Sequence, residues 1–338
     1  MTTIRPNRRD WLEATLGHAV DEPVAASADA SFRSYWRITV DGKSLVLMDA
    51  PPDREDIRPW LDVANRLADA GLHAPTIRAD DPEHGYVLMS DLGSQTLLPA
   101  LNAGNVDAWY AQAMDAILHM QREVASDDLP QYDEQRLMDE LELMPRWFLG
   151  EHLGFTPSCE QWDIIENAHR ALINAALAQP KAFVHRDFHS RNLMIDGSIT
   201  DDVRLGIIDF QDAVRGPVTY DLVSLLRDCY VEWPEDRVYD WVDSYREQAV
   251  VAGLFDADVG RFRRWFDLMG LQRHIKVLGI FCRLWYRDGK AGYLGDLPLV
   301  WRYTQTVGRR YPEIAPLIAL IESVLGERDI TQPRVVTA

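Results

Sequence analysis

Three polar side chains in the second half of the chain have types and spacing suited to phosphoryl transfer. Asp187 stands in a His-x-Asp pattern, Asn192 follows it, and Asp209 ends a later apolar run. Transfer from ATP requires one carboxylate that accepts the proton of the attacking hydroxyl and a second that holds Mg²⁺ against the phosphates. The pattern predicts that Asp187 is the catalytic base and that Asn192 and Asp209 are the metal ligands.

Each of these residues has a simpler explanation when it is taken alone. A single Asp or Asn in a loop usually forms a turn or caps a helix, and a single histidine such as His185 is usually structural. The joint spacing, with a second Asp at the end of the next apolar strand, favours the catalytic interpretation. We therefore expect an ATP- and Mg²⁺-dependent enzyme.

The first ninety residues show the patterns of a sheet with one helix. Residues 34–40 and 44–49 flank an Asp-Gly pair, which predicts a β-hairpin. Residues 54–70 predict a helix that Gly71 ends, although Pro59 suggests a later start. Residues 86–89 predict another strand.

Helical periodicity dominates the rest of the chain. Leu137, Leu141, Met144 and Phe148 recur at helical spacing, and Ser158 with Gln161 predicts a capping box at the start of a helix that runs to residue 180. Short β-like runs precede Asp187 and Asp209. The chain therefore divides into a β-rich N-terminal lobe over residues 1–92, a hinge near residues 89–93 and a C-terminal lobe over residues 93–338.

The N-terminal lobe lacks two features that nucleotide-binding kinases usually have. The loop at residues 28–35 contains no glycine, so the candidates for phosphate contact are the hydroxyl of Ser31, the backbone at Phe32 and the charge of Arg33 or Arg37. Met48 occupies the strand position where a phosphate-binding lysine is expected. An arginine of the loop is therefore the candidate cation. The alternatives are a solvated hairpin and a pseudokinase that binds nucleotide without transfer.

The segment after the predicted strand at residues 86–89 suits an adenine pocket. Met89 would line its entrance, and the backbone from Ser90 to Leu92 would offer hydrogen bonds to the base. Backbone recognition leaves little trace in side chains, so a core role for Met89 stays open.

The catalytic pattern, followed by Gly216-Pro217-x-x-Tyr220-Asp221-Leu222, resembles the aminoglycoside phosphotransferase/choline kinase family. That resemblance covers nearly the whole chain. It implies an α+β, bilobal, protein-kinase-like fold with ATP and Mg²⁺ as cofactors. Within it, Asp221 is expected to anchor the catalytic loop.

Three stretches are similar to one branch of that family, the bacterial anomeric kinases of N-acetylmuramate and N-acetylglucosamine. They are residues 48–52, 185–194 and 269–281. The resemblance implies phosphorylation of the C1 hydroxyl of these sugars in peptidoglycan recycling, with a downstream nucleotidyltransferase as a pathway partner only. In that branch the missing glycines and lysine are ordinary.

Candidate contacts to the acceptor sugar are Arg191, Gln272, Arg273 and Lys276, the last three on one helical stretch. The alternative is that Arg273 and Lys276 are solvent-facing charges of a surface helix. Four aromatic residues leave a choline kinase open, because they could form a cage for a quaternary ammonium group: Trp285, Tyr286, Trp301 and Tyr303. An aminoglycoside acceptor would need a pocket lined by carboxylates, and no local acidic cluster in the late helices indicates one.

Composition limits the class of protein and its partners. The formal net charge of -18 disfavours nucleic acid and anionic membranes as partners. The sequence contains no apolar stretch of the length that a membrane helix needs. Three scattered cysteines suit reduced thiols better than a disulfide framework. We therefore expect a cytoplasmic protein that acts on a small molecule.

Overall fold

The computed structural model of the chain describes residues 5–28, 32–196, 204–290 and 292–334. The chain divides into two compact units. The first comprises residues 1–125 and 190–213, and the second comprises residues 126–189 and 214–338. The predicted lobes, with their boundary at residues 92 and 93, are not tested by this division and stay a prediction.

The first unit contains a five-stranded antiparallel sheet of strand order β1-β2-β3-β5-β4. The strands are β1 (Val24–Ala28), β2 (Ser34–Val40), β3 (Lys43–Asp49), β4 (Ile77–Asp81) and β5 (Tyr86–Ser90). Asp41 and Gly42 connect β2 to β3 with φ angles of 50° and 74°. Two successive left-handed residues make the turn that matches the twist of paired strands, so the predicted hairpin is confirmed.

Three helices belong to the same unit: α1 (Arg8–Leu16), α2 (Arg58–Asp69) and α3 (Val106–Glu123). The helix α2 begins at Arg58 rather than at residue 54, which is the later start that Pro59 suggested. Pro59 has no N–H to donate and is accepted only in the first turn. Gly71, with φ of 73°, follows its end as expected.

Four short strands follow later in the chain and form two antiparallel pairs. They are β6 (Lys181–Val184), β7 (Leu193–Asp196), β8 (Arg204–Ile207) and β9 (Val214–Pro217). β6 pairs with β9 in the second unit, and β7 pairs with β8 in the first. The runs predicted before Asp187 and Asp209 are β6 and β8.

The second unit is mainly helical. Its helices are α4 (Glu134–Leu141), α5 (Cys159–Leu177), α6 (Tyr220–Leu226), α7 (Glu235–Val251), α8 (Val259–Tyr286), α9 (Leu297–Gly308) and α10 (Ala315–Leu325). The capping box of Ser158 and Gln161 at the start of α5 is confirmed, although the helix ends at Leu177 rather than near residue 180. The residues at helical spacing, Leu137, Leu141, Met144 and Phe148, lie in two consecutive helical segments. α4 ends at Leu141 and a π-helical segment, Met144–His152, follows, because Pro145 cannot donate to the preceding turn.

Two expectations from composition can be compared with the structure. Cys159, Cys229 and Cys282 are all unpaired. Among the residues that the structure describes, no helix combines the length and the apolar character needed to cross a bilayer.

Candidate active site

The β7–β8 hairpin places the two predicted metal ligands side by side. Leu193 pairs with Ile207, and Ile208 N–H donates to the Asn192 carbonyl at 3.2 Å. The Asn192 amide group donates to one carboxylate oxygen of Asp209 at 3.0 Å, and Gln211 donates to the other at 2.9 Å. Asp209 has a φ of 65°, which is uncommon for a residue with a side chain. The hairpin thus fixes an amide and a carboxylate at one end of two short strands.

This pair fits a magnesium ion. Carboxylate and amide oxygens are ligands that Mg²⁺ prefers, and Mg²⁺ commonly takes only one or two protein ligands together with water and substrate phosphates. The described residues contain no group of three or more His, Cys, Asp or Glu side chains able to hold a metal ion by themselves. The site therefore suits a metal that arrives with a nucleotide rather than a permanently held ion.

Asp187 lies in the second unit, on the loop that follows β6. Asp221 anchors this loop from α6, because its buried carboxylate accepts the N–H groups of His185 at 2.7 Å and Arg186 at 3.0 Å. Asp187 N–H donates to the His185 ring at 3.3 Å. Arg186 has a φ of 77°, a left-handed conformation that these contacts stabilise. The expected anchoring role of Asp221 agrees with this geometry.

The charge environment keeps Asp187 ionised. Burial raises the pKa of its carboxyl. Arg273 and Lys276, and then His189 and Arg186, lower that pKa by more than burial raises it, so the net pKa is below the ordinary value. An ionised carboxylate at neutral pH is able to accept a proton. Asp187 therefore has the protonation state that a base needs.

Three of the predicted sugar contacts lie in a buried network beneath this loop. Gln272 donates to Glu140 at 3.0 Å, and Lys276 does so at 2.8 Å. Arg273 donates to the Arg186 carbonyl at 3.2 Å. All three α8 residues are buried, so the alternative of solvent-facing charges is wrong. Their predicted contact with a sugar stays a prediction, but each already has a partner within the protein.

Glu140 on α4 is the centre of that network. Arg186 forms an ion pair with it, and Tyr132 donates a hydrogen bond to it. Burial raises the pKa of the Glu140 carboxyl, but Lys276 and then Arg186 outweigh it and lower the pKa to about 2. The sequence analysis missed Glu140. Its signal was an acid between Leu137 and Leu141 on the apolar face of an amphipathic helix.

A cavity of about 390 Å³ lies within the first unit, next to the Asn192–Asp209 pair. Its walls include Met89, Ser90 and Leu92, which were predicted to contact adenine, and Arg191, which was predicted to contact the sugar. Arg191 is exposed and belongs to this unit, whereas the three buried candidates of α8 belong to the other. A cavity with both apolar and polar walls suits a flat base that carries phosphates.

The chain after β5 is held rigidly beside the cavity. Ser90 N–H already donates to the Thr76 carbonyl at 2.9 Å. The Asp91 carboxylate accepts from Arg37 at 2.5 Å, from Ser44 at 2.5 Å and from Gly93 N–H at 3.0 Å. Of the three predicted adenine contacts, Ser90 therefore already uses its backbone N–H group in a hydrogen bond to Thr76, the residue before β4.

The N-terminal loop differs from a solvated hairpin. Arg33 is buried, with its Nε 3.1 Å from Glu55 and its Nη2 3.8 Å from Asp209. Phe32 is exposed, with the Arg54 guanidinium over its ring at 4.2 Å. Ser31 lies outside the described residues. The sequence offered no signal for Glu55, because acidic residues near the start of a helix are common.

The four aromatic residues considered for an ammonium cage include two tyrosines with different neighbours. The Tyr286 hydroxyl is 3.0 Å from the His152 ring, whereas Tyr303 stacks on His274 with ring centroids 5.0 Å apart. Both tyrosines therefore already have aromatic partners within the protein.

Comparison with known proteins then places the chain in a family. Residues 23–262 match the family model described as "Phosphotransferase enzyme family". The chain belongs to this phosphotransferase family. The N-acetylmuramate/N-acetylglucosamine kinase of Pseudomonas putida is 47% identical to this phosphotransferase over 92% of the chain and 89% of that protein. The enzyme of the same name from Neisseria meningitidis is 40% identical over 95% and 96%.

Solved structures show the fold of this phosphotransferase. The ADP-bound aminoglycoside phosphotransferase APH(2'')-Ib aligns with a TM-score of 0.59 at 14% identity, covering 89% of this chain and 98% of that one. An ethanolamine kinase from Plasmodium vivax aligns with a TM-score of 0.62 at 8% identity, covering 93% of each. Together with the five-stranded sheet and the helical remainder, these neighbours confirm the predicted α+β, bilobal, protein-kinase-like fold class.

Proposed function

We propose that this phosphotransferase is a kinase that transfers the terminal phosphoryl group of ATP to the C1 hydroxyl of N-acetylmuramate and N-acetylglucosamine. The observation that carries this proposal is the 40–47% identity to relatives of that name over more than nine tenths of the chain. The buried support of Asp187 and the Asn192–Asp209 pair are what such a reaction requires.

The residues divide the chemical work between them. The ionised Asp187 orients the hemiacetal hydroxyl and accepts its proton late in a loose transition state. Asn192 and Asp209 hold Mg²⁺, which neutralises charge on the phosphate oxygens when it is bound. Met89 and Leu92 pack against adenine, and the backbone near Leu92 forms hydrogen bonds with the polar edge of the base. In this arrangement Gln272, Arg273 and Lys276 act on the acceptor through the loop that carries Asp187.

The pathway follows from the resemblance to the anomeric amino-sugar kinases. On that resemblance we assign the enzyme to peptidoglycan recycling, with a nucleotidyltransferase that takes the sugar 1-phosphate as its pathway partner. Its location is then the cytoplasm, where ATP is available. The net charge of -18 argues against nucleic acid and anionic membrane surfaces as partners.

One assay separates the possible acceptors. The purified protein is incubated with ATP, Mg²⁺ and, in separate reactions, N-acetylmuramate, N-acetylglucosamine, choline and an aminoglycoside, and products are read by phosphorus NMR. An anomeric phosphate should form with the two N-acetyl sugars. A product only with a cationic alcohol would contradict the acceptor, and nucleotide binding without any product would contradict the enzyme.

The same assay tests the base. Asp187→Asn should lower kcat by about 10²- to 10⁴-fold, because the amide cannot accept the proton. The KM for ATP should change little, and the unfolding temperature should show that the variant folds. A kcat equal to that of the wild type would exclude Asp187 as the base.

A further inference from the structure

We propose that Arg33 is the cation that binds the phosphates of the nucleotide and that Glu55 orients it, so that this pair replaces the ion pair which a lysine on β3 would form. The proposal rests on the proposed function, since it concerns how the same site holds ATP. It assigns a role to Glu55 and identifies which arginine compensates for Met48.

The sheet register explains why the cation comes from β2. Tyr35 pairs with Met48, and Ser34 pairs with Asp49, so Arg33 directly precedes the paired segment at the end of β3. Met48 is fully buried in the sheet, where it also pairs with Val87. Lys43 is exposed at the opposite end of β3. Arg33, the residue before β2, therefore lies beside the end of β3, where β3 itself carries no lysine.

The turn after β3 presents Glu55 to that cation. The Pro51 carbonyl accepts the N–H groups of Arg54 at 2.9 Å and Glu55 at 3.0 Å. This turn fixes the backbone of Glu55 three residues before α2. Its carboxylate then reaches the Arg33 guanidinium at 3.1 Å, with the two side chains 23% and 6% exposed. An arginine so deeply buried requires a carboxylate partner.

The other end of the guanidinium faces the metal site. Arg33 Nη2 is 3.8 Å from Asp209 Oδ1, which is within ion-pair range but longer than a hydrogen bond. The guanidinium is therefore anchored on Glu55 and extends towards the carboxylate that we assign to Mg²⁺. Phosphate oxygens bound to that metal come within reach of an arginine, whose planar group donates two parallel hydrogen bonds to phosphate.

Two other arginines of the first unit, Arg37 and Arg54, have partners away from the metal ligands. Arg37 holds the Asp91 carboxylate with two nitrogen atoms, at 2.5 Å and 3.1 Å. Arg54 lies over the Phe32 ring. Arg191 is exposed at the cavity wall. Within the described part of the first unit, Arg33 is the buried arginine that contacts the assigned metal ligand.

The test measures recognition of phosphate separately from recognition of the base. Titration calorimetry of the full chain gives the Kd of ADP with Mg²⁺ and the Kd of adenosine, and their ratio reports the phosphate contribution. Arg33→Met should weaken ADP binding by about 10- to 100-fold and leave adenosine binding unchanged. Arg58→Met is the matched control, because the Arg58 side chain is 69% exposed and forms an ion pair with the nearby Asp56 at 3.3 Å. It should keep both Kd values.

A second variant covers loss of folding. Arg33→Met leaves the partly buried Glu55 without its cation, whereas the double variant Arg33→Met with Glu55→Gln removes both charges. The double variant should bind adenosine like the wild type and lose the preference for ADP, and Glu55→Gln alone should lose part of it. A wild-type preference for ADP in the double variant or in Arg33→Met would overturn the proposal. If the variants lose the preference for ADP as expected but the wild type phosphorylates neither N-acetyl sugar in the acceptor assay, only the proposed function is overturned.

Discussion

Glu140 holds a negative charge inside the second unit against the cations of Arg186 and Lys276. The three charges connect α4, α8 and the loop of Asp187. Removing the acid would leave the buried Lys276 and the partly buried Arg186 without their shared carboxylate, which is the costly way to break such a cluster. Glu140 therefore holds the side chain of Arg186, the residue that precedes Asp187 in the loop.

The low pKa of Glu140 predicts the direction of a pH effect. Its folded-state pKa of about 2 is below the ordinary 4.5, so its stabilising contribution is complete above pH 4.5 and is lost as the pH falls towards 2. Glu140→Gln should unfold more easily at pH 7, by about 3–5 kcal/mol. It should also show a smaller loss of stability than the wild type between those two pH values. Urea unfolding at a series of pH values measures both effects.

Glu142→Gln is the control for this experiment, because Glu142 is an exposed acid just after α4. It should follow the wild-type curve at every pH. If the curve of Glu140→Gln also ran parallel to the wild type across the acidic range, the charge of Glu140 would not be the source of the pH dependence.

Residue types and spacing predicted Asn192 and Asp209 as neighbours because one short hairpin connects them. The environment of Arg273 and Lys276 could not be predicted in this way. The partner of Lys276 lies 136 residues earlier in the chain, and helical periodicity alone does not distinguish a solvated charge from a buried one. Long-range charge pairing is decided by tertiary packing, which a single sequence does not display.

Among the elements, α8 packs closely at Gly279 against the backbone of Leu143, the residue before the π-helical segment. A Cβ atom added at Gly279 would lie 2.3 Å from the Leu143 carbonyl carbon and 2.5 Å from its oxygen. These are backbone atoms, so no side-chain rotation relieves the clash. Gly279 is therefore required by packing rather than by its φ angle.

We expect Gly279→Ala to lower the free energy of unfolding by about 1–3 kcal/mol, because overpacking forces the backbone of two elements apart. Thermal unfolding measures it. Gly260→Ala, in the first turn of the same helix, is the matched control. Its added Cβ would meet only the Asp258 side chain, at 3.4 Å, and alanine favours a helix. A wild-type unfolding temperature for Gly279→Ala would show that α8 can shift without cost.

Element prediction succeeded where local chemistry decides the structure. The Asp-Gly turn and the Ser158 capping box depend on neighbouring residues only. The apolar spacing from Leu137 to Phe148 did not distinguish the α-helix that ends at Leu141 from the π-helical segment that begins at Met144, where Pro145 interrupts the α-helical hydrogen bonds. β1 and β4 also escaped notice, because their strands, VAASA and IRADD, lack continuous apolar alternation.

At the scale of the whole molecule, the predicted base and the predicted metal ligands fall in different units of the chain. Asp187 belongs to the second and Asn192 with Asp209 to the first, and the chain passes from one to the other between His189 and Ser190. The net charge of -18 does not describe the surroundings of either carboxylate. Arg273 and Lys276 lower the pKa of Asp187, and Arg33 lies 3.8 Å from Asp209.

Ligand binding should therefore stabilise the protein in a manner that depends on Asp209. A ligand that binds only the folded state raises stability by mass action, about 2.7 kcal/mol at a concentration 100 times its Kd. ADP with Mg²⁺ should raise the unfolding temperature more than ADP with EDTA, because the metal joins the phosphates to Asn192 and Asp209. Differential scanning fluorimetry of the wild type measures this difference.

The variant Asp209→Asn tests the role of the carboxylate. It should abolish the metal-dependent part of the shift and keep the part due to ADP alone. Asp212→Asn, which changes an exposed acid three residues later, should keep both parts. An unchanged metal-dependent shift in Asp209→Asn would remove Asp209 from the metal site, and a shift lost equally in both variants would indicate a general charge effect.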